Sequence, residues 1–217
     1  MKNIFKTGML STLGLLFILV SCTADPITST VTYYPDMTFN GDRITVLTEG
    51  DAYVEQGIIS KANGVDLEVT TTGSEDVDTS TPGVYDVYYS SVNSDGFSKE
   101  LRRTVIVLSN QPSTVDLSGT FFRNGFANNV TRLSDRVYVA DNAGGVDPAN
   151  SDNVDNLVKL TFYNIDDVRL YAPYQEDTSK SGLDVESNIG TIISPNNFTW
   201  VIYASGFYGT AVRNFVR

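Results

Sequence analysis

Short runs rich in Val, Ile, Thr, Tyr and Phe recur along the chain, separated by Gly, Asn, Asp and Pro. Beyond the N-terminus no segment carries the apolar repeat of an amphipathic helix, so the pattern predicts an all-β protein. The clearest strand covers residues 83–89, with Tyr85, Val87 and Tyr89 on one face and Val84, Asp86 and Tyr88 on the other. Asn93-Ser94-Asp95-Gly96 makes a turn, because Asp and Gly accept the backbone angles it needs. Residues 97–108 then run back with Leu101, Arg103, Val105 and Val107 on one face, completing a half-buried hairpin. Residues 44–47 and 67–70 add two strands. In the second half the strand candidates are 136–140, 158–163, 168–172, 190–193 and 198–204. Val158, Leu160 and Phe162 should face inward, leaving Lys159, Thr161 and Tyr163 outward. Residues 142–156 are too rich in Gly, Asn and Asp for core and read as an exposed loop.

The first 21 residues follow another rule. Lys2 and Lys6 precede an uncharged, largely apolar run at 9–20, which has the length of a secretory h-region and is too short to span a bilayer as a helix. Residues 22–31 are polar, contain Pro26 and read as a tether. The remainder divides into β domains at 32–110 and 115–217, parted by the polar stretch Ser109-Asn110-Gln111-Pro112-Ser113. Composition narrows the function. The chain has 26 acids, 15 bases, one cysteine and no histidine, a net charge of −11. Such acidity argues against nucleic acid, and one cysteine makes neither an internal disulfide nor a multi-cysteine metal site. Without histidine the usual neutral-pH general base is missing, which leans the reading away from an enzyme.

Leu19-Val20-Ser21-Cys22 resembles the lipobox of bacterial lipoproteins. The resemblance implies cleavage before Cys22 and lipid on its sulfur, so that acyl chains tether the protein to a membrane. Asp25 stands where Bacteroides-type lipoproteins carry acidic surface-export signals, which points to the outer membrane and the cell exterior; the periplasmic face is the other option.

Three further segments carry a second likeness. Gly50-Asp51-Ala52-Tyr53-Val54-Glu55-Gln56-Gly57, Asp78-Thr79-Ser80-Thr81-Pro82-Gly83-Val84-Tyr85 and Arg103-Thr104-Val105-Ile106-Val107 resemble the bacterial surface immunoglobulin-like repeat over about residues 40–108. The likeness implies a β-sandwich whose motif residues are structural. Gln56 departs from the proline common there, and Gly96-Phe97 from glycine-asparagine. The next segment, Asp116-Leu117-Ser118-Gly119-Thr120-Phe121-Phe122-Arg123, resembles the start of the C-terminal domain of lipoproteins found beside SusC/SusD-type nutrient importers. That implies a second antiparallel sandwich or small barrel, and a surface accessory handling glycan or, for some importers, peptide.

Charge and aromatic content place the candidate site. From Cys22 to Ser113 there are 14 acids, 5 bases and 8 aromatics; from Thr114 on there are 12, 8 and 14. Flat aromatic faces flanked by a few polar groups suit glycan and peptide, so the second domain is where to look. Its candidates are Tyr163, Tyr171, Tyr174, Trp200 and Tyr208, although aromatics in small β domains are most often core. Asp141-Asn142, Asp147, Asp152-Asn153 and Asp155 put hard oxygen ligands in one loop. Calcium could use them, but the spacing does not match an EF-hand and a solvated acidic loop explains the same residues. Asp166-Asp167 are adjacent acids. On a strand they would point to opposite faces and could not flank one glycosidic bond; a turn after Asn164 accounts for them better. These readings lead to a non-catalytic binding protein, with a purely structural importer subunit as the alternative and a hydrolase third.

Overall fold

The computed structural model describes residues 31–204 and 207–217; the targeting segment and Cys22 lie outside the described residues. The chain is all-β. Alternation in Gly83–Val92 (β6) and Ser98–Leu108 (β7) builds the longest hairpin, ten pairs in register from Gly83↔Val107 to Val92↔Ser98. Asn93 closes it as the sequence predicts, with Gly96 N–H donating to its carbonyl at 3.1 Å. Ile44–Thr48 (β2) lies parallel to β7, and Thr70–Thr72 (β5) lies antiparallel to β6, giving the order β2-β7-β6-β5. Asp36–Phe39 (β1), Ile58–Ala62 (β3) and Val65–Asp66 (β4) form the facing sheet. Between them Met37, Val87, Tyr89, Val105 and Val107 are buried. The strand expected at 67–70 is instead a crossing, since β4 pairs with β3 in one sheet and β5 with β6 in the other.

Alternation also puts Arg103 on the buried face, where an unpaired charge would be costly. The fold answers with a ring of acceptors. Arg103 pairs with Glu55, and its Nε and Nη2 donate to the carbonyls of Asp42 and Asn40 at 3.0 and 2.7 Å. Glu55 also accepts from the Tyr53 and Tyr89 hydroxyls and from Gly57 N–H. Burial pushes the Glu55 carboxyl up, but those hydrogen bonds and the Arg103 charge outweigh it and hold the group below its usual range. Tyr53 is pushed up to about 12 by burial and by the carboxylate beside it. The Tyr-x-Glu-x-Gly segment is therefore a cradle for one buried cation.

The second half closes into an eight-stranded antiparallel barrel. Its strands are Gly119–Arg123 (β8), Phe126–Ser134 (β9), Val137–Ala140 (β10), Leu160–Asn164 (β11), Arg169–Tyr171 (β12), Gly190–Ser194 (β14), Asn197–Trp200 (β15) and Arg213–Val216 (β17). Val185–Ser187 (β13) and Ile202–Ala204 (β16) pair outside the barrel as a two-stranded sheet. An eight-stranded barrel is just wide enough for side chains to fill. Here Phe121, Tyr138, Phe162, Phe198, Trp200 and Phe215 do so, in edge-to-face and stacked pairs 4.9–6.2 Å apart. The interior is a core rather than a ligand cavity.

Two expectations for the second half also change. The strand expected at 198–204 breaks at Val201, whose N–H donates to Asn188 Oδ1 at 2.7 Å, so β15 stays in the barrel while β16 leaves it. The loop at 142–156 is not exposed throughout. Residues 142–145 are buried, with the Ala143 carbonyl accepting from Trp200 Nε1 and the Gly144 carbonyl from Arg213 Nε.

Residues from Tyr34 to Arg217 form one compact unit, and the sandwich docks on the barrel through an apolar cluster of Ile106, Ile165 and Tyr171, with Ile44, Val84, Leu108 and Tyr163 packed around it. Polar clamps frame the cluster. Arg102 of β7 donates to both oxygens of Glu186 at 2.6 and 2.7 Å, and Arg169 Nη2 to the Pro82 carbonyl. The polar stretch between the halves is pinned rather than loose. Ser109 N–H donates to Ile165, and the Gln111 carbonyl accepts from Arg136.

Candidate functional site

The break at Val201 shapes an aromatic-lined concavity. In β16, Ile202 and Ala204 turn inward and Tyr203 turns out, 46% exposed. Its cross-strand partner is Glu186, flanked by inward Val185 and Ser187. Gln175 bridges Val185 beside this pair, bringing Tyr174 alongside, and Tyr208 bridges Ala204 on the other side. Together Tyr174, Asp184, Glu186, Tyr203, Ala204 and Tyr208 line a cleft of about 410 Å³.

Each wall has a physical support. The Tyr174 hydroxyl donates to Asp184 Oδ2 at 2.8 Å, and its ring carries the Arg43 guanidinium at 3.8 Å, a cation–π contact from the sandwich. Asp184 Oδ1 accepts from Asp177 N–H. Glu186 is fixed by Arg102 and by the Tyr171 hydroxyl at 2.5 Å. Tyr208 donates to the Asn156 carbonyl at 2.7 Å, and burial pushes its hydroxyl up to about 12. It lies so close to Gly144 that a Cβ there would clash with the Tyr208 oxygen.

The five aromatics singled out from sequence thus divide. Tyr174 and Tyr208 line the cleft. Trp200 does not, because its ring fills the barrel at 1% exposure. Tyr171 is buried at 4%, behind the cleft, where it orients Glu186; burial and the adjacent carboxylate push its hydroxyl well above the usual range. Tyr163 faces outward from β11, as the alternation predicts, but the docked sandwich covers it. Tyr203, Asp184 and Glu186 were not foreseen. For Tyr203 the signal is the inward-outward-inward alternation of 202–204, which the strand expected at 198–204 already carries; Asp184 and Glu186 reach it only through the pairing of β13 with β16.

Most of the acids considered for metal or hydrolysis have other partners. Asp141 accepts from Asn129 through both oxygens, Asp147 caps Ala149 N–H, and Asp155 pairs with Lys180. Among the described residues no three acidic, histidine or cysteine side chains converge on a point. Asp166 and Asp167 sit in the turn after Asn164. Asp166 binds Arg169, while Asp167 gathers Ser113, Thr114, Asn164 and Arg136; burial pushes the Asp167 carboxyl up, but these bonds hold it far below its usual range. They serve the turn and the joint.

Residues 37–107 match the family described as bacterial surface protein, Ig-like domain. The N-terminal sandwich is Ig-like. No curated protein matches the chain. Among solved structures, the chain is similar to the lipoprotein BT2262 from Bacteroides thetaiotaomicron, at 22% identity and a TM-score of 0.37 over 84% of this chain and 98% of that one. It is also similar to the M60 catalytic domain with the CBM51-1 and CBM51-2 domains from Clostridium perfringens ZmpB, at 14% identity and a TM-score of 0.29 over 87% of this chain and 21% of that one. The Ig-like domain supplies two of the supports described above, Arg43 on Tyr174 and Arg102 on Glu186.

Proposed function

We propose that this protein is a non-catalytic binding protein of the bacterial cell surface, held to the outer membrane by lipid on Cys22. The barrel cleft captures a glycan or a peptide and passes it to an importer of the SusC/SusD type. One observation carries the reading: three tyrosines wall a 410 Å³ cleft beside two carboxylates, the aromatic-plus-polar lining that such ligands need. The Ig-like match over residues 37–107 supports the surface setting. A non-catalytic role is supported by Glu186, whose oxygens are both engaged, by Arg102 and Tyr171. Isothermal titration of the chain from residue 23 against glycan and peptide panels tests the reading. Millimolar or tighter binding that drops at least fivefold in Tyr203→Ala is expected; no binding, or binding indifferent to that change, overturns the site. Hydrolysis of a panel substrate that disappears in Asp184→Asn would overturn the non-catalytic role.

A structural accessory role is the second reading. It is favoured by the outer wall of the barrel, where Phe122 and Val216 are cross-strand partners and stand 47% and 44% exposed. Its signature is co-purification with outer-membrane partners while every soluble ligand fails.

A further inference from the structure

The cleft lining is one-sided in its chemistry. Of its six residues, two are carboxylates and none carries a basic or amide side chain. Two of the three tyrosine hydroxyls are already committed as donors, Tyr174 to Asp184 and Tyr208 to the Asn156 carbonyl. A sugar hydroxyl both gives and receives hydrogen bonds, so neutral glycan sites supply donors as well as acceptors. This cleft offers a ligand mainly acceptors.

The two acids are not equivalent. Glu186 is neutralised by Arg102, whereas Asp184 has no Lys or Arg within ion-pair distance among the described residues. The neighbouring rings hold cations on the protein's own account: Arg43 lies over Tyr174, and Arg213 lies 5.0 Å from the centroid of Tyr208. Tyr203 has neither an aromatic nor a cationic partner among the described residues and is the most exposed ring of the three. A carboxylate without a counter-ion beside an open tyrosine face is an arrangement for a cation with an apolar stem.

We propose that the cleft recognises a lysine or arginine side chain of a peptide, its aliphatic stem lying along Tyr203 and its charged head donating to Asp184. This rests on the cleft being the binding site and names what it binds. Lysine and arginine fit because their heads only donate and their stems are apolar. The overall acidity of the chain, 26 acids against 13 bases from Cys22 on, draws such ligands in from a distance.

The test measures binding to the chain from residue 23, which keeps the whole compact unit, by titration calorimetry at pH 6. Four probes are compared: a pentapeptide of alternating lysine and glycine, the same peptide with every lysine acetylated, tetrameric N-acetylglucosamine, and its deacetylated form. The lysine peptide should bind, and acetylation should weaken it about tenfold or more, the scale of one charge-assisted contact. Raising salt from 50 to 300 mM should weaken it further. Asp184→Asn should erase the difference between the two peptides with an unchanged melting temperature, and Tyr203→Ala serves as an independent surface variant if Asp184→Asn folds poorly. Equal binding of both peptides, or a preference for the neutral sugar, overturns the cation while keeping the binding site. Binding of the amino sugar alone overturns the peptide. Failure of these probes and of the wider panels overturns the binding role itself.

Discussion

At the scale of single residues, burial decides between roles that one-letter codes leave open. Arg103 is the clearest case. Its place on the inner face is legible from alternation, but its partner Glu55 lies 48 residues earlier, and only the family motif ties the two together. Removing the guanidinium with Arg103→Ala leaves Glu55, Tyr53 and Tyr89 around an empty place. The expected loss is about 3–5 kcal/mol, the usual cost of breaking a buried ion pair, read from urea unfolding. The same cluster sets an acid limit. Because the folded Glu55 carboxyl lies below its ordinary 4.5, its contribution is complete above that value and fades as the pH falls through the depressed one. Stability curves recorded from pH 6 down to pH 3 should therefore fall steeply in the natural protein and less steeply in Glu55→Gln, which starts lower. Equal slopes would remove Glu55 from the acid response. Trp200 makes the opposite point: sequence already favours core for so large an aromatic, and the closure of the barrel puts it there.

At the scale of elements, hairpins were legible and breaks were not. The β6–β7 pair follows from a run of alternating residues and a strong turn signal, both local. The split of 197–204 into β15 and β16 depends on Asn188 meeting Val201 N–H, a contact thirteen residues away that no periodicity announces. Likewise the polar stretch after Asn142 looks like solvent-exposed loop, yet Arg123, Trp200 and Arg213 supply donors for its carbonyls and allow its first turn to be buried. Gly144 lies where that turn meets the cleft. Gly144→Ala should force Tyr208 aside, costing about 1–3 kcal/mol as an overpacked contact and weakening ligand binding, whereas Gly209→Ala, with open space around it, should do neither. Thermal melts and titrations on the two variants make the comparison; equal behaviour would place Tyr208 outside the site.

At the scale of the whole molecule, the Ig-like domain is built into the cleft rather than standing apart from it. The apolar cluster of Ile106, Ile165 and Tyr171 and the Arg102–Glu186 clamp make the sandwich and barrel one compact unit. Calorimetry should accordingly give a single unfolding transition. Arg102→Ala leaves Glu186 without its counter-charge; it should cost about 2–4 kcal/mol and separate the transition into two, while a single unchanged peak would deny the clamp its role. Anchoring is tested apart from folding: Cys22→Ser should abolish incorporation of labelled fatty acid and release the protein from membranes. The central claim is that the tyrosine cleft is where ligand is held. Its most direct measurement is a nuclear magnetic resonance titration of protein labelled on its tyrosine rings, using whichever panel member binds. The signals of Tyr174, Tyr203 and Tyr208 should move together and saturably while those of Tyr53, Tyr88 and Tyr138 stay still. Saturable shifts confined to rings outside the cleft would contradict it.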